Sequence, residues 1–87
     1  MTDIMKIRLF FFGRMADQLG REREIAIPEG GCTVGTLRRL LVEQHPEAEV
    51  LMAGGHIRAS VDQEIVDDDV RVRPGQEVAF FSPLSGG

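Results

Sequence analysis

The chain has 87 residues, enough for one domain; at that size folding buries only roughly 60–65% of the surface of the unfolded chain. Ten Lys and Arg against fourteen Asp and Glu leave a formal net charge of −4, which argues against nucleic-acid and anionic-membrane partners, since both want basic patches. No apolar run approaches the ~20 residues of a membrane span, the start lacks a signal-peptide pattern, and the single Cys32 cannot form an internal disulfide, so a cytoplasmic location is expected.

The first element is a strand. From Met5 to Phe12 the residues alternate, with Ile7, Leu9 and Phe11 on one face and Lys6, Arg8, Phe10 and Phe12 on the other. Gly13 ends it, and Arg14 to Leu19 predict a short helix closed by Gly20. Arg23 to Ile27 alternate again, with Ile25 and Ile27 inward, before a turn at Pro28-Glu29-Gly30-Gly31. Thr33 has the side chain of an N-cap. Val34, Leu37, Leu40 and Leu41 follow at helical spacing, and the helix must end at or before Pro46.

The second half is mostly strand. Ala48 to Met52 predict a helical turn stopped by Gly54-Gly55. Ile57, Ala59 and Val61 then alternate with His56, Arg58 and Ser60, and Asp62-Gln63-Glu64 turns the chain toward Ile65-Val66. Beyond the acidic Asp67-Asp68-Asp69 loop, Pro74-Gly75 makes a turn into a last strand, Glu77 to Phe81. A mixed sheet packed on one main helix is the two-layer solution for this order, an α+β fold of the β-grasp type. The folded domain is expected to span residues 1–81, with 82–87 as an extended tail.

Enzyme signatures are mostly missing. His45 and His56 lack metal-ligand partners at recognisable spacing and read as surface residues. Cys32 has no CxxC mate and reads as a small passive side chain. Gly30 to Thr36 match a phosphate loop only in their glycines, because Thr36 stands where the motif needs lysine. The acidic triplet lacks the glycine and distal glutamate of a calcium loop and reads as a solvated turn. The best candidate reagent is the C-terminus itself, Ser85-Gly86-Gly87, whose two glycines lack Cβ atoms and can enter a narrow site. Pro83 fixes its own φ and biases Ser82 toward an extended conformation, so the base of the tail is expected to project from the domain.

These stretches resemble a known family. Lys6 to Phe12 with Leu19-Gly20, Thr33 to Arg38, Ala59 to Val66 and above all Gly75 to Gly87 are similar, in order and across essentially the whole chain, to the small sulfur-carrier subunit of molybdopterin synthase. The chain departs from the family pattern at Asp62, where asparagine is frequent, at Ser82, where proline is frequent, and at Ser85, where alanine or threonine is frequent.

The resemblance implies a carrier with no cofactor of its own and no catalytic residues beyond its terminus. In the family an activating enzyme, an adenylyltransferase like those of ubiquitin, uses ATP and Mg²⁺ to adenylate the residue corresponding to Gly87. A sulfur donor then converts the adenylate to a thiocarboxylate. It also implies a large catalytic synthase subunit as partner, in an assembly of two small and two large subunits, with a pterin precursor as the acceptor of sulfur. The same residues leave open a carrier for thiazole, cysteine or tRNA thiolation, a ubiquitin-like protein modifier, and a plain β-grasp interaction domain.

The strand alternation adds a docking face. With Ile7, Leu9, Phe11, Val78 and Phe80 turned to the helix, Phe10, Phe12 and Phe81 point the other way. First and last strands lie side by side and parallel in a β-grasp sheet, which sets Phe12 beside Phe81 where the tail departs, with Ile65 near them. Aromatic side chains exposed at one place predict an interface.

Overall fold

The computed structural model describes residues 4–53 and 56–82. In chain order the elements are β1 (Ile4–Phe11), α1 (Arg14–Leu19), β2 (Glu22–Pro28), β3 (Cys32–Thr33), α2 (Val34–Gln44), a 3-10 turn (Pro46–Ala48), α3 (Glu49–Ala53), β4 (Arg58–Val61), β5 (Glu64–Val66), β6 (Arg71–Val72) and β7 (Val78–Phe81). Five strands form one sheet in the order β2-β1-β7-β4-β5, and β3 pairs with β6 in a separate two-stranded sheet. Within the large sheet only β1 and β7 run parallel, with Leu9 opposite Val78 and Phe11 opposite Phe80. This mixed sheet with α2 across one face is the β-grasp arrangement expected from the sequence.

Alternation builds the core. Ile7, Leu9 and Phe11 of β1, Ile25 and Ile27 of β2, Ala59 and Val61 of β4, and Val78 and Phe80 of β7 all turn to the helical side and are buried with Val34, Leu37 and Leu41 of α2. Leu40, at the margin of the same helix face, is half-buried. Under the helix the rings of Phe11 and Phe80 stack with centroids 6.4 Å apart.

Helix ends follow the predicted chemistry. Gly20 sits at φ 89°, a conformation that L side chains rarely adopt, and its N–H donates to the Ala16 carbonyl at 2.8 Å to close α1. Thr33 Oγ1 accepts from the Thr36 N–H at 3.1 Å. The two amides before it are satisfied from the acidic loop: Val34 N–H donates to the Val70 carbonyl at 2.9 Å and Gly35 N–H to the Asp68 carbonyl at 3.0 Å. The glycine spacing from Gly30 to Thr36 therefore belongs to a capped helix start, whose Val34, Gly35 and Thr36 amides are all engaged within the fold. Asp68 also accepts from Arg38 Nε at 3.0 Å, and the Arg38 guanidinium lies 5.4 Å from the centroid of the Phe80 ring. The acidic triplet is thus partly a fastening for α2 and not simply a solvated turn.

The far end of α2 fastens the β2 edge. Gln44 donates from Nε2 to the Ala26 carbonyl at 2.9 Å and accepts the Ala26 N–H at 2.8 Å, so one amide side chain completes a rung that no strand occupies. Beside it, His45 is half-buried and not simply a surface residue. Its Nδ1 accepts from Arg23 Nη1 at 2.8 Å, which leaves Nε2–H to donate to the Glu24 carbonyl at 3.4 Å. His56 is exposed, as expected. Cys32 is buried, and burial pushes its thiol pKa up despite the opposing charge of Arg71, which fits a passive side chain.

Two turns are set by backbone angles. Asp62 and Gln63 both have positive φ, 51° and 72°, and close the β4–β5 hairpin as a two-residue turn flanked by the pair Val61 and Glu64. Asp62 does more than turn the chain: Oδ1 accepts the Glu77 N–H and Oδ2 accepts Gln76 Nε2, each at 3.0 Å, while its own N–H donates to the Glu77 carbonyl at 2.7 Å. The carboxylate thereby grips the residues that lead into β7. At Gly31, φ is 89° and a Cβ would overlap the Val72 carbonyl oxygen.

Gly31→Ala should therefore cost about 1–3 kcal/mol from the backbone angle alone, with the overlap adding to it. At roughly 4–8 °C per kcal/mol for a domain of this size, a thermal melt will show the loss. Asp62 gives a pH signature. The Glu77 N–H, ahead of the Gln76 amide, holds its pKa below the usual carboxylate range, so its contribution is present above about pH 3.9 and is lost as pH falls through the lower folded value. The melting-temperature gap between wild type and Asp62→Ala should be constant near neutrality and shrink on acidification below that range.

Candidate functional site

The sheet face opposite the helix carries the side chains that alternation turns away from the core. Register places them in rows. Ile65 of β5 lies opposite Ser60 of β4, Ser60 opposite Ala79 of β7, and Ala79 opposite Phe10 of β1, so these four residues form one row across the sheet. In the next row toward the chain's exit, Phe81 lies opposite Arg58. One step beyond Phe11 and Phe80 on the two parallel strands brings Phe12 alongside Phe81.

Phe12 is 58% and Ile65 57% exposed, while Phe10 and Phe81 are half-buried. All four residues read from the sequence as an interface thus share one face. They are not equally close. Phe12 and Phe81 are neighbours, whereas Ile65 lies three strand spacings from Phe10, roughly 14 Å at ~4.8 Å per spacing. Between them Ala79 and Ser60 have small side chains, and Ala79 is buried. The large apolar side chains of this face therefore stand at the Phe10–Phe12–Phe81 side and at Ile65, with smaller ones between them. Ser60, Ala79 and Arg58 complete the face. The alternation of β4 and β7 contained that signal, but only the register between strands reveals it.

Ser82 follows Phe81 and is exposed. Ser85, Gly86 and Gly87, the residues assigned to the chemistry, lie outside the described residues, as does the expected tail beyond Ser82. A groove lined by Lys6, Arg8, Phe10, Glu24, Gln76 and Glu77 adjoins this face at Phe10, extends toward the start of β1 and has mixed charge. Among the described residues no group of three or more His, Cys, Asp or Glu could hold a metal ion, and no helix is long and apolar enough to cross a membrane.

A family model and a curated relative show the family of the chain, and solved structures show its fold. The ThiS family matches residues 9–87. The molybdopterin synthase sulfur carrier subunit of Escherichia coli (strain K12) is 32% identical over 81 residues, covering 93% of this chain and 99% of the relative. Among solved structures, SAMP1 from Haloferax volcanii superposes with a TM-score of 0.78 at 28% identity, covering 94% of this chain and 99% of that one. The small archaeal modifier protein 1 from Methanosarcina acetivorans shares the fold, with a TM-score of 0.72 at 13% identity over 98% of this chain and 99% of that one. The chain belongs to the ThiS family and is a homologue of the molybdopterin synthase sulfur carrier subunit.

Proposed function

We propose that this chain carries sulfur on Gly87 as a thiocarboxylate and delivers it to a pterin precursor as the small, non-catalytic subunit of a molybdopterin synthase. The observation that carries the reading is the aromatic face of Phe10, Phe12 and Phe81 at the end of β7 from which the family's C-terminal segment departs. The family match extends through that segment to Gly87.

The chemistry requires a partner at each step. An α-carboxylate with a pKa of about 3.3–3.7 is ionised at neutral pH and is a poor electrophile. An activating enzyme with ATP and Mg²⁺ lets a Gly87 carboxylate oxygen attack the α-phosphorus, expelling pyrophosphate and leaving an acyl-adenylate. Sulfur from a donor then attacks the acyl carbon, and AMP leaves with the carboxylate oxygen. In the large subunit the thiocarboxylate sulfur attacks a carbon of the pterin side chain as that carbon's bond to oxygen breaks, and water hydrolyses the resulting thioester, leaving the sulfur on the pterin and restoring the Gly87 carboxylate. Six residues from Ser82 to Gly87 reach at most about 20 Å, so the domain face must dock close to the mouth of the receiving site. Phe12, Phe81, Phe10 and Ile65 supply that face, and the large subunit and the activating enzyme are its partners. Catalytic side chains belong to those partners.

A second reading has its own support. The 28% identity to SAMP1, whose relatives among the solved structures are described as small archaeal modifier proteins, favours a modifier whose Gly87 ends in an amide bond to lysine. The two share activation and differ in the acceptor.

Intact-mass measurement after incubation with the activating enzyme, ATP and a sulfide source should show replacement of one oxygen by sulfur at the terminus. Deleting Gly87 should abolish that gain while leaving the melting temperature within the few tenths of a kcal/mol typical of surface changes. Conjugates on other proteins in place of sulfur transfer would establish the modifier. Phe12→Asp and Phe81→Asp should each weaken binding to the large subunit by tenfold or more, roughly 1.4 kcal/mol, because the complex would bury an unpaired charge. Unfolding of the free domain by both substitutions would assign the rings to the core instead.

A further inference from the structure

The two edges of the sheet are treated differently, and backbone phase shows how. On the β2 side, Phe11 N–H donates to the Arg21 carbonyl at 2.9 Å, which fixes the odd-numbered residues of β2 as those bonded to β1. Glu24 and Ala26 therefore present their backbone groups outward, and there Gln44 takes both groups of Ala26 and His45 takes the Glu24 carbonyl. That edge is closed by side chains from the end of α2.

On the β5 side the phase is fixed twice. Asp62 N–H donates to the Glu77 carbonyl at 2.7 Å, so Asp62, Ser60 and Arg58 direct their backbone groups to β7, leaving Val61 and Ala59 to bond β5. The two-residue turn independently makes Val61 and Glu64 the bonded pair that closes the hairpin. Both routes leave Ile65 with its N–H and C=O directed away from the sheet. No hydrogen bond to either group is formed by a side chain or loop among the described residues. Ile65 is also 57% exposed and belongs to the docking face, so an occupant of this edge would meet main chain and apolar side chain together.

Charge selects the occupant. Five of the eight residues from Asp62 to Asp69 are acidic and none is basic, and only Asp68 has an ion pair among the described residues, with Arg38. A second copy of the chain would set two such segments against each other. A basic segment would be drawn to them.

We propose that β5 is an acceptor edge: an extended segment of the partner protein, carrying Lys or Arg, adds beside β5 and exchanges two main-chain hydrogen bonds with Ile65. The inference rests on the docking face proposed above and extends it past Ile65 onto the sheet edge, in the manner of strand addition. It gives the complex a directional register that apolar side chains alone lack, and so fixes how the tail is aimed.

The test uses the full-length ¹⁵N-labelled protein titrated with the synthase large subunit from the same organism, read by amide hydrogen exchange. In the free protein the Ile65 amide should exchange faster than that of Val66, which bonds β4. In the complex it should slow by roughly tenfold or more. An ester in place of the Ile65 amide, made by ligation, should weaken binding roughly fivefold through the lost donor. Glu64→Lys and Asp67→Lys should weaken it three- to tenfold, roughly, and more at low salt than at high salt. Shifts at Phe12 and Phe81 with an unprotected Ile65 amide would overturn the edge and leave the docking face standing. Absence of shifts at all three would overturn both. Concentration-dependent protection of Ile65 in the free protein would assign the edge to a second copy of this chain and overturn the basic partner.

Discussion

The parallel pairing of β1 with β7 is the constraint on which the rest depends. It joins residues almost seventy positions apart, Leu9 with Val78 and Phe11 with Phe80, so its loop-closure entropy is offset only when the core forms around it. Once it is made, the inward side of both strands stacks Phe11 on Phe80 beneath α2, and the outward side sets Phe12 beside Phe81. One register therefore decides both the core and the outward aromatic face. A slip of one residue would turn the outward aromatic side chains into the core and expose those that hold the helix.

Around that pairing, polar groups hold each end of α2. At its start the acidic loop supplies two carbonyls and the Asp68 carboxylate, and Arg38 links that carboxylate to the ring of Phe80. At its end Gln44 and His45 reach the β2 edge. The helix is thus tied to the loop before β6 and to β2, while β5 takes no comparable cover among the described residues. These ties are exposed or half-buried and individually modest; their value is geometric, since they fix the helix over one sheet face and leave the other free.

Much of this was legible in the sequence because it is local or periodic. The inward set of β1, the Gly20 closure of α1 and the Thr33 cap follow from spacing and side-chain chemistry, and β1 and α2 were placed within a residue or two of their observed bounds. What escaped was non-local. The β3–β6 pair has only two residues per strand, too short for any period to register. Asp62 read as a turn residue, and nothing near it in the chain reveals that its carboxylate grips Gln76 and Glu77. His45 and the acidic triplet looked idle because their partners lie on other elements. On the candidate face, Phe10, Phe12 and Phe81 were found by alternation and Ile65 by its expected nearness to them, whereas Ser60, Ala79 and Arg58 needed the strand order.

Strand β7 gathers these threads into a single mechanical arrangement. Asp62 holds the residues before it, β1 and β4 flank it on both sides, and Val78 and Phe80 are buried beneath α2. At its far end Phe81 lies opposite Arg58 of β4 and is the last residue of the strand. This asymmetry suits the proposed carrier role: for a terminus that enters another protein, fixing the point from which it departs lowers the entropy of ordering tail and domain together. With β7 gripped at its start and the aromatic face at its end, docking as proposed above would also aim the segment that follows. The stability of the fold and the proposed delivery of the terminus are therefore drawn from opposite faces of the same strand.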